Sequence, residues 1–269
     1  MWVASSGVTA QGLQATSTDD EKTRFTVALT TGVWGSKWQE NLSESSRRVY
    51  EKANIPIVAL DLIRNTDKSL VKFQLKSSNG NRKYDGWTNT GHPITSTSDV
   101  EMVGFQAEYQ WKLSQELSWG IRAEHELMSR KLNGVSNIKG YLEDYSGFSL
   151  LVGGTKTIRF SGDNTLNLAA WYGGGEGHKM KLALDPYEPA TVKLGMTRKM
   201  DVTATWKSPL FVNDQSKWDL IGQLGFARSE TGQSKVGILK SQGGSTGSFI
   251  QPNTESFGWR VTVGIAYTW

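Results

Sequence analysis

Residues 257–269 alternate without a break: Phe257, Trp259, Val261, Val263, Ile265, Tyr267 and Trp269 hold one parity, and Gly258, Arg260, Thr262, Gly264, Ala266 and Thr268 hold the other. Successive side chains of an extended chain point to opposite faces, so one face of this strand is wholly apolar. Such a face must be covered by a second sheet, by helices or by lipid. Composition decides between them. Only 37% of the chain is hydrophobic, yet it carries 11 Trp and 29 Gly, a poor endowment for a conventional core. A β-barrel in lipid shows only every second side chain to hydrocarbon and leaves the rest polar. No run of about 18 apolar residues is present, so a transmembrane helix is excluded.

The same period recurs upstream. Val103, Phe105, Ala107, Tyr109, Trp111 and Leu113 form one apolar face, and Leu117, Trp119, Ile121 and Ala123 the next. Phe148, Leu150 and Val152 open a further strand; Leu166, Leu168, Ala170 and Tyr172 follow the turn signal at 161–164. Positions 190–206 keep one apolar parity broken only at Arg198, longer than a membrane crossing needs. Trp218, Leu220, Gly222, Leu224 and Phe226 make another strand, and weaker patterns lie near 24–34, 56–65 and 69–77. The links then alternate: short at 65–68, 113–117, 161–164 and 207–216, long at 35–55, 78–97, 131–145, 175–188 and 231–254. Short periplasmic turns and long extracellular loops are the habit of bacterial barrels. The expectation is an all-β, closed antiparallel transmembrane β-barrel of about ten strands (roughly 8–12) with long extracellular loops, spanning 23–269 and preceded by a tail or signal-peptide remnant at 1–22.

Aromatics fit the same frame. Trp111, Trp119, Trp206, Trp218, Tyr267 and Trp269 fall at the periplasmic ends, as an interfacial girdle requires, and Trp34, Tyr172, Phe226 and Trp259 would form the outer girdle. The inward parity collects Arg24, Lys72, Gln74, Gln106, Glu108, Arg122, Glu124, Asn167, Lys193, Asp219, Gln223 and Arg260. In so narrow a barrel, opposite charges pair and fill the lumen rather than line a wide pore.

Chemistry-bearing residues are few. Cysteine is absent and histidine occurs three times. His125 shares the outward parity, whereas His92 and His178 lie in extracellular links. No metal-ligand spacing, nucleophile elbow or dinucleotide loop is present, so no metal or cofactor is expected; the glycines at 173–175 read as loop flexibility. A net charge of +4 without a basic run argues against nucleic acid. Arg47, Arg48, Trp87, His92, Lys179, Lys181, Lys235 and Lys240 are the loop residues placed to meet a ligand.

The terminal strand, with its aromatic last residue, resembles the signal by which bacterial outer-membrane barrels are recognised for assembly, which implies the barrel-assembly machinery as a partner. Glu176-Gly177-His178, Trp87-Thr88-Asn89 and His92-Pro93 resemble stretches of the omptins, ten-stranded surface endopeptidases, and the architecture also resembles the Opc-type adhesins. In omptins a His-carboxylate couple and an acidic pair activate a water. The resemblance implies His178, Glu176 and Asp85 as catalytic residues, with one carboxylate at Lys83-Tyr84-Asp85 where the family has two.

The reading that follows is an integral protein of a Gram-negative outer membrane, surrounded by lipid and lipopolysaccharide, whose extracellular loops bind a surface peptide or glycan as an adhesin does. An omptin-like endopeptidase with an incomplete site is the alternative, and a narrow channel the third.

Overall fold

The computed structural model describes residues 23–43, 46–87, 92–136, 138–213, 215–241, 243–244 and 246–269, without the side chains of 42–48. The expected tail or signal remnant at 1–22 lies outside the described residues, as do the side chains of Arg47 and Arg48. Fourteen strands follow in chain order: β1 (Arg24–Ser43), β2 (Ser46–Asn65), β3 (Ser69–Trp87), β4 (Pro93–Lys112), β5 (Leu117–Leu132), β6 (Tyr141–Arg159), β7 (Thr165–Gly175), β8 (Lys179–Ala183), β9 (Ala190–Lys193), β10 (Thr197–Val212), β11 (Lys217–Thr231), β12 (Gly237–Lys240), β13 (Thr246–Phe249) and β14 (Asn253–Thr268).

Ten of them make a ring. Each strand from β1 to β6 pairs with the next, then β6 with β7, β7 with β10, β10 with β11, β11 with β14, and β14 with β1. All these pairings are antiparallel, and every ring strand has a hydrogen-bonded neighbour on both sides. That satisfies the backbone without water, the condition for crossing hydrocarbon.

The side chains are arranged inside out relative to a soluble domain. Phe25, Leu29, Val33, Leu60, Phe73, Phe105, Ile121, Val152, Val202, Leu220 and Val263 are exposed on the outer face, while Glu108, Arg122, Glu124 and Asp219 are buried inside. A soluble monomer rarely exposes so continuous an apolar surface. The outer belt ends at Val33 on β1, Val58 on β2, Leu75 on β3, Phe105 on β4, Leu127 on β5, Phe148 on β6, Tyr172 on β7, Met200 on β10, Phe226 on β11 and Trp259 on β14. At the end of the ring where the short links lie, the expected girdle is a chain of rings: Trp111 stacks on Trp119 at 4.7 Å, Trp218 meets Tyr267 at 4.8 Å, Tyr267 meets Trp269 at 5.5 Å, and Trp206 meets Phe160 at 5.2 Å.

Above the belt the structure departs from the pattern read in the sequence. Most of the long links at 35–55 and 78–97 are strand: β1 and β2 run on to 43 and 46, and β3 and β4 to 87 and 93. Once the wall leaves the membrane its outer face meets water, so Lys37, Gln39 and Asn41 replace the apolar side chains and the alternation signal vanishes. The run 190–206 is two strands, because the chain leaves β9 at 194 and re-enters the ring at Thr197. Lys193 is accordingly exposed on β9 rather than inside the ring. The link read at 207–216 shrinks to 213–216. Gly173, Gly174 and Gly175 are not a flexible loop: they end β7, and a Cβ on each would stand 2.2, 1.9 and 1.9 Å respectively from the flanking carbonyl oxygens of Leu150, Thr197 and Phe148. Trp34 points inward, not into the outer girdle, because it shares the parity of Ser36 and Trp38.

The links after β7 and β11 carry two small hairpins, β8–β9 and β12–β13. Met180, Leu182, Val192, Leu194 and Leu239 form a buried cluster there, with Tyr141, Tyr145, Tyr187 and Phe249 packed against it. This apolar core holds the hairpins together at the end of the ring opposite Trp111 and Trp119.

Candidate functional site: the hairpin-capped mouth and the filled lumen

Inside the ring, charge is layered. At the level of the belt, Arg122 reaches Glu108 at 2.9 Å and Glu124 at 3.7 Å, and its guanidinium lies 4.3 Å from the Trp171 ring centroid. Gln106 donates to Glu108 at 3.2 Å. Lys72 pairs with Asp61 at 3.1 Å, Arg260 with Asp201 at 3.1 Å, and Lys76 with Glu126 at 2.9 Å. Lys199 bridges Glu124 and Glu126 from across the ring. Alternation places every one of these on the inner face, and the narrow bore brings opposite signs into contact.

A second cluster stands above the belt. Arg130 of β5 is 1% exposed and donates to Glu51 of β2 at 2.9 Å, to Glu40 of β1 at 2.9 Å and to Glu143 of β6. Arg82 of β3, also 1% exposed, donates to Ser36 at 2.8 Å and lies 3.6 Å from Glu51. Tyr145 donates to Glu143 at 2.8 Å, and Trp38 to Glu40 at 3.3 Å. Three carboxylates therefore face two guanidiniums. Burial pushes the Glu143 carboxyl above its ordinary range; Arg130 pulls it down, and the neighbouring Glu40 charge adds to the rise. Burial lowers the Arg82 guanidinium to about 10, with Glu51 opposing the shift. Against the same burial, Glu143, Glu40 and Glu51 together hold Arg130 firmly charged. Burial raises the Tyr84 phenol to about 12, helped by Glu40.

None of these upper residues was singled out from the sequence. Glu40, Glu51, Arg82 and Glu143 lie in stretches read as loops, and Arg130 sits at the edge of one. The signal that could have found them is the inward parity of Trp34, Ser36, Trp38 and Glu40, which continues after its apolar outward partners stop.

Between the clusters is a cavity of about 190 Å³ lined by Trp34, Trp38, Met102, Met128, Lys199 and His178 among others. His178 is half-buried in the link after β7. Its Nε2 donates to the Phe148 carbonyl at 3.0 Å and lies 3.4 Å from the Ser149 hydroxyl. Burial, with Lys199 next, lowers its pKa below the ordinary histidine value.

The residues expected to be catalytic are not brought together. Glu176 is exposed in the same link as His178, and Asp85 is exposed on the outer face of β3, on the far side of the wall from the lumen. His178 is hydrogen-bonded to a carbonyl rather than to a carboxylate that could orient it as a base. The binding candidates spread more widely. Trp87 ends β3 facing outward and His92 is exposed between β3 and β4. Lys179 and Lys181 are exposed on β8, Lys240 on β12, and Lys235 just before it. Among the described residues no group of histidine and acidic side chains fit to hold a metal is present.

No protein-family model matches the chain, and no curated protein matches it. Solved structures do. The outer membrane protease OmpT from Escherichia coli superposes with a TM-score of 0.55 at 13% identity, over 94% of this chain and 98% of that one. The translocator domain of the autotransporter NalP from Neisseria meningitidis gives 0.44 at 12% identity, over 93% and 90%, and the outer membrane protein OprG from Pseudomonas aeruginosa 0.37 at 10%, over 93% and 97%. The ring of ten strands is the fold of a Gram-negative outer-membrane β-barrel, as in OmpT.

Proposed function

We propose that this chain closes as a barrel across the outer membrane and binds an anionic peptide or glycan at its extracellular mouth, in the manner of an adhesin. The observation that carries this reading is a contrast in charge. The lumen is occupied by paired charges, whereas the links that carry the two hairpins present Lys179, Lys181, Lys193, Lys235 and Lys240 to solvent, against Glu176, Asp185 and Glu188 as carboxylates among the described residues of the same links. Asp185 is already engaged by Lys139. The hairpins are held by the buried Met180, Leu182, Val192, Leu194 and Leu239 cluster, so these cations stand on a packed platform. A preorganised site costs less ordering on binding than a floppy loop does.

The test uses heparin as the probe on detergent-refolded protein. Saturable, salt-sensitive binding is expected, together with its loss when Lys179, Lys181, Lys235 and Lys240 are replaced by Gln. Binding that survives this replacement would defeat the reading.

The endopeptidase alternative has the shared fold with OmpT and the place of His178 on the cavity wall in its favour. Cleavage of a dibasic peptide, abolished in His178→Ala, would establish it.

A further inference from the structure

The cavity between the two charge clusters has unlike walls. On one side β11 and β14 pair with Thr231 opposite Thr254, Ser229 opposite Ser256 and Ala227 opposite Gly258. These inward positions carry small side chains, so the bore is hollow at this level rather than filled. Across the ring stand Met102 of β4 and Met128 of β5. Trp34 and Trp38 of β1 close the side next to β14, where Trp38 pairs with Ser256.

The polar groups around this cavity fall into two kinds. Its inner charges are engaged with one another: Lys76 with Glu126, Lys199 with Glu124 and Glu126, and Arg260 with Asp201. Arg82 is 1% exposed, donates to Ser36 and lies 3.6 Å from Glu51. A charged ligand would have to break one of these pairs or lie beside them without a counter-charge, and either is costly. The neutral groups are free. Among the described residues the hydroxyls of Thr30, Ser229, Thr254 and Ser256 make no hydrogen bond, and the Thr262 hydroxyl is buried without a partner. The Trp34 indole N–H, which lies over Gly258, has no acceptor among them either. Buried polar groups take partners. A hydroxyl both donates and accepts, so a row of hydroxyls matches a ligand that is itself hydroxylated.

Size and surface narrow the choice. The cavity's volume of about 190 Å³ is room for about a dozen waters, comparable to the ring atoms and hydroxyls of one hexose. We propose that the cavity binds a neutral monosaccharide ring, its C–H face against Trp34 and the two methionines and its hydroxyls on Ser229, Thr254 and Ser256. An apolar lining with a few placed polar groups is the usual make-up of a small-molecule site. The site lies inside the ring wall, apart from Lys181, Lys235 and Lys240, and does not depend on what those lysines bind.

The experiment uses the full chain refolded in detergent, its folding checked by heat-modifiable gel mobility. Saturation-transfer NMR reads the binding of D-glucose, D-galactose and D-mannose. D-glucuronate and D-glucosamine serve as charged counterparts, and cyclohexanol as a ring without the hydroxyl set. At least one of the three neutral hexoses is expected to bind saturably, with the charged sugars and cyclohexanol about tenfold or more weaker. The S229A/T254A/S256A variant should bind that hexose at least about tenfold more weakly, and Ala227→Phe, which fills the hollow, should abolish binding. Both effects are read only on protein that keeps the heat-modifiable form, and either variant suffices. In K181Q/K235Q/K240Q, whose positions lie outside the cavity, hexose binding should be unchanged. No binding of any of the three hexoses by the folded wild type overturns the proposal. So does equal binding by a folded cavity variant, or binding of D-glucuronate or D-glucosamine as tight as that of the neutral ring.

Discussion

Trp34 on the inner face of β1 and Trp259 on the outer face of β14 cover the two sides of one seam. The register sets Gly35 opposite Trp259 and Ser36 opposite Gly258. A Cβ at Gly35 would lie 2.2 Å from the Trp259 indole, and one at Gly258 would lie 2.2 Å from the Trp34 indole nitrogen. Each indole covers a glycine of the partner strand. This is the pairing of the first and last ring strands, and it is locked from both faces by aromatic cover of a bare backbone.

Filling either glycine should therefore weaken the seam. Gly35→Ala and Gly258→Ala are each expected to cost about 1–3 kcal/mol, the range for overpacking a filled site. Urea titration of the refolded protein, read by tryptophan fluorescence, measures it. A cost near zero in both would show that the indoles do not pack as described.

Arg130 serves three carboxylates at once. Arg130→Met is expected to destabilise by about 3–5 kcal/mol, because Glu40, Glu51 and Glu143 lose their shared counter-charge. Arg130→Lys should rescue little, since a single ammonium does not reproduce the guanidinium fork. Unfolding midpoints of the two variants check both statements.

The upper cluster should also respond to pH. Glu143 has a folded pKa above its unfolded value, so its contribution to stability is present below the ordinary glutamate range and is lost as pH rises through the raised value. Wild type and Glu143→Gln should have similar stability near pH 4 and diverge at higher pH, the variant becoming the more stable. A wild-type stability that rises relative to the variant between pH 5 and pH 8 would contradict the assignment.

Paired charges in the bore should block ions. The wild-type protein is expected to show no conductance steps in planar bilayers, whereas removing both partners in Arg122→Ala/Glu108→Ala should introduce small ones. The variant frees a pair that is 2.9 Å apart and takes the guanidinium off Trp171. Wild-type conductance of porin size would refute the filled lumen.

The alternation over 257–269, the aromatics at the strand ends and the order of short and long links determined the class of fold and which side chains face inward, including Glu108, Arg122, Glu124 and Arg260. These are legible because hydrocarbon on one face and a narrow polar bore on the other impose a strict period of two, a local property of the chain. The extension of β1 to β4 above the membrane was not legible, because water on the outer face removes the apolar half of the pattern. Nor was the meeting of Glu40, Glu51, Arg130 and Glu143, which come from four strands. Register alone decides it, as it decides that Asp85 and His178 stand on opposite sides of the wall. Strand pairing converts residues far apart in sequence into neighbours about 5 Å apart, and no local periodicity records that distance.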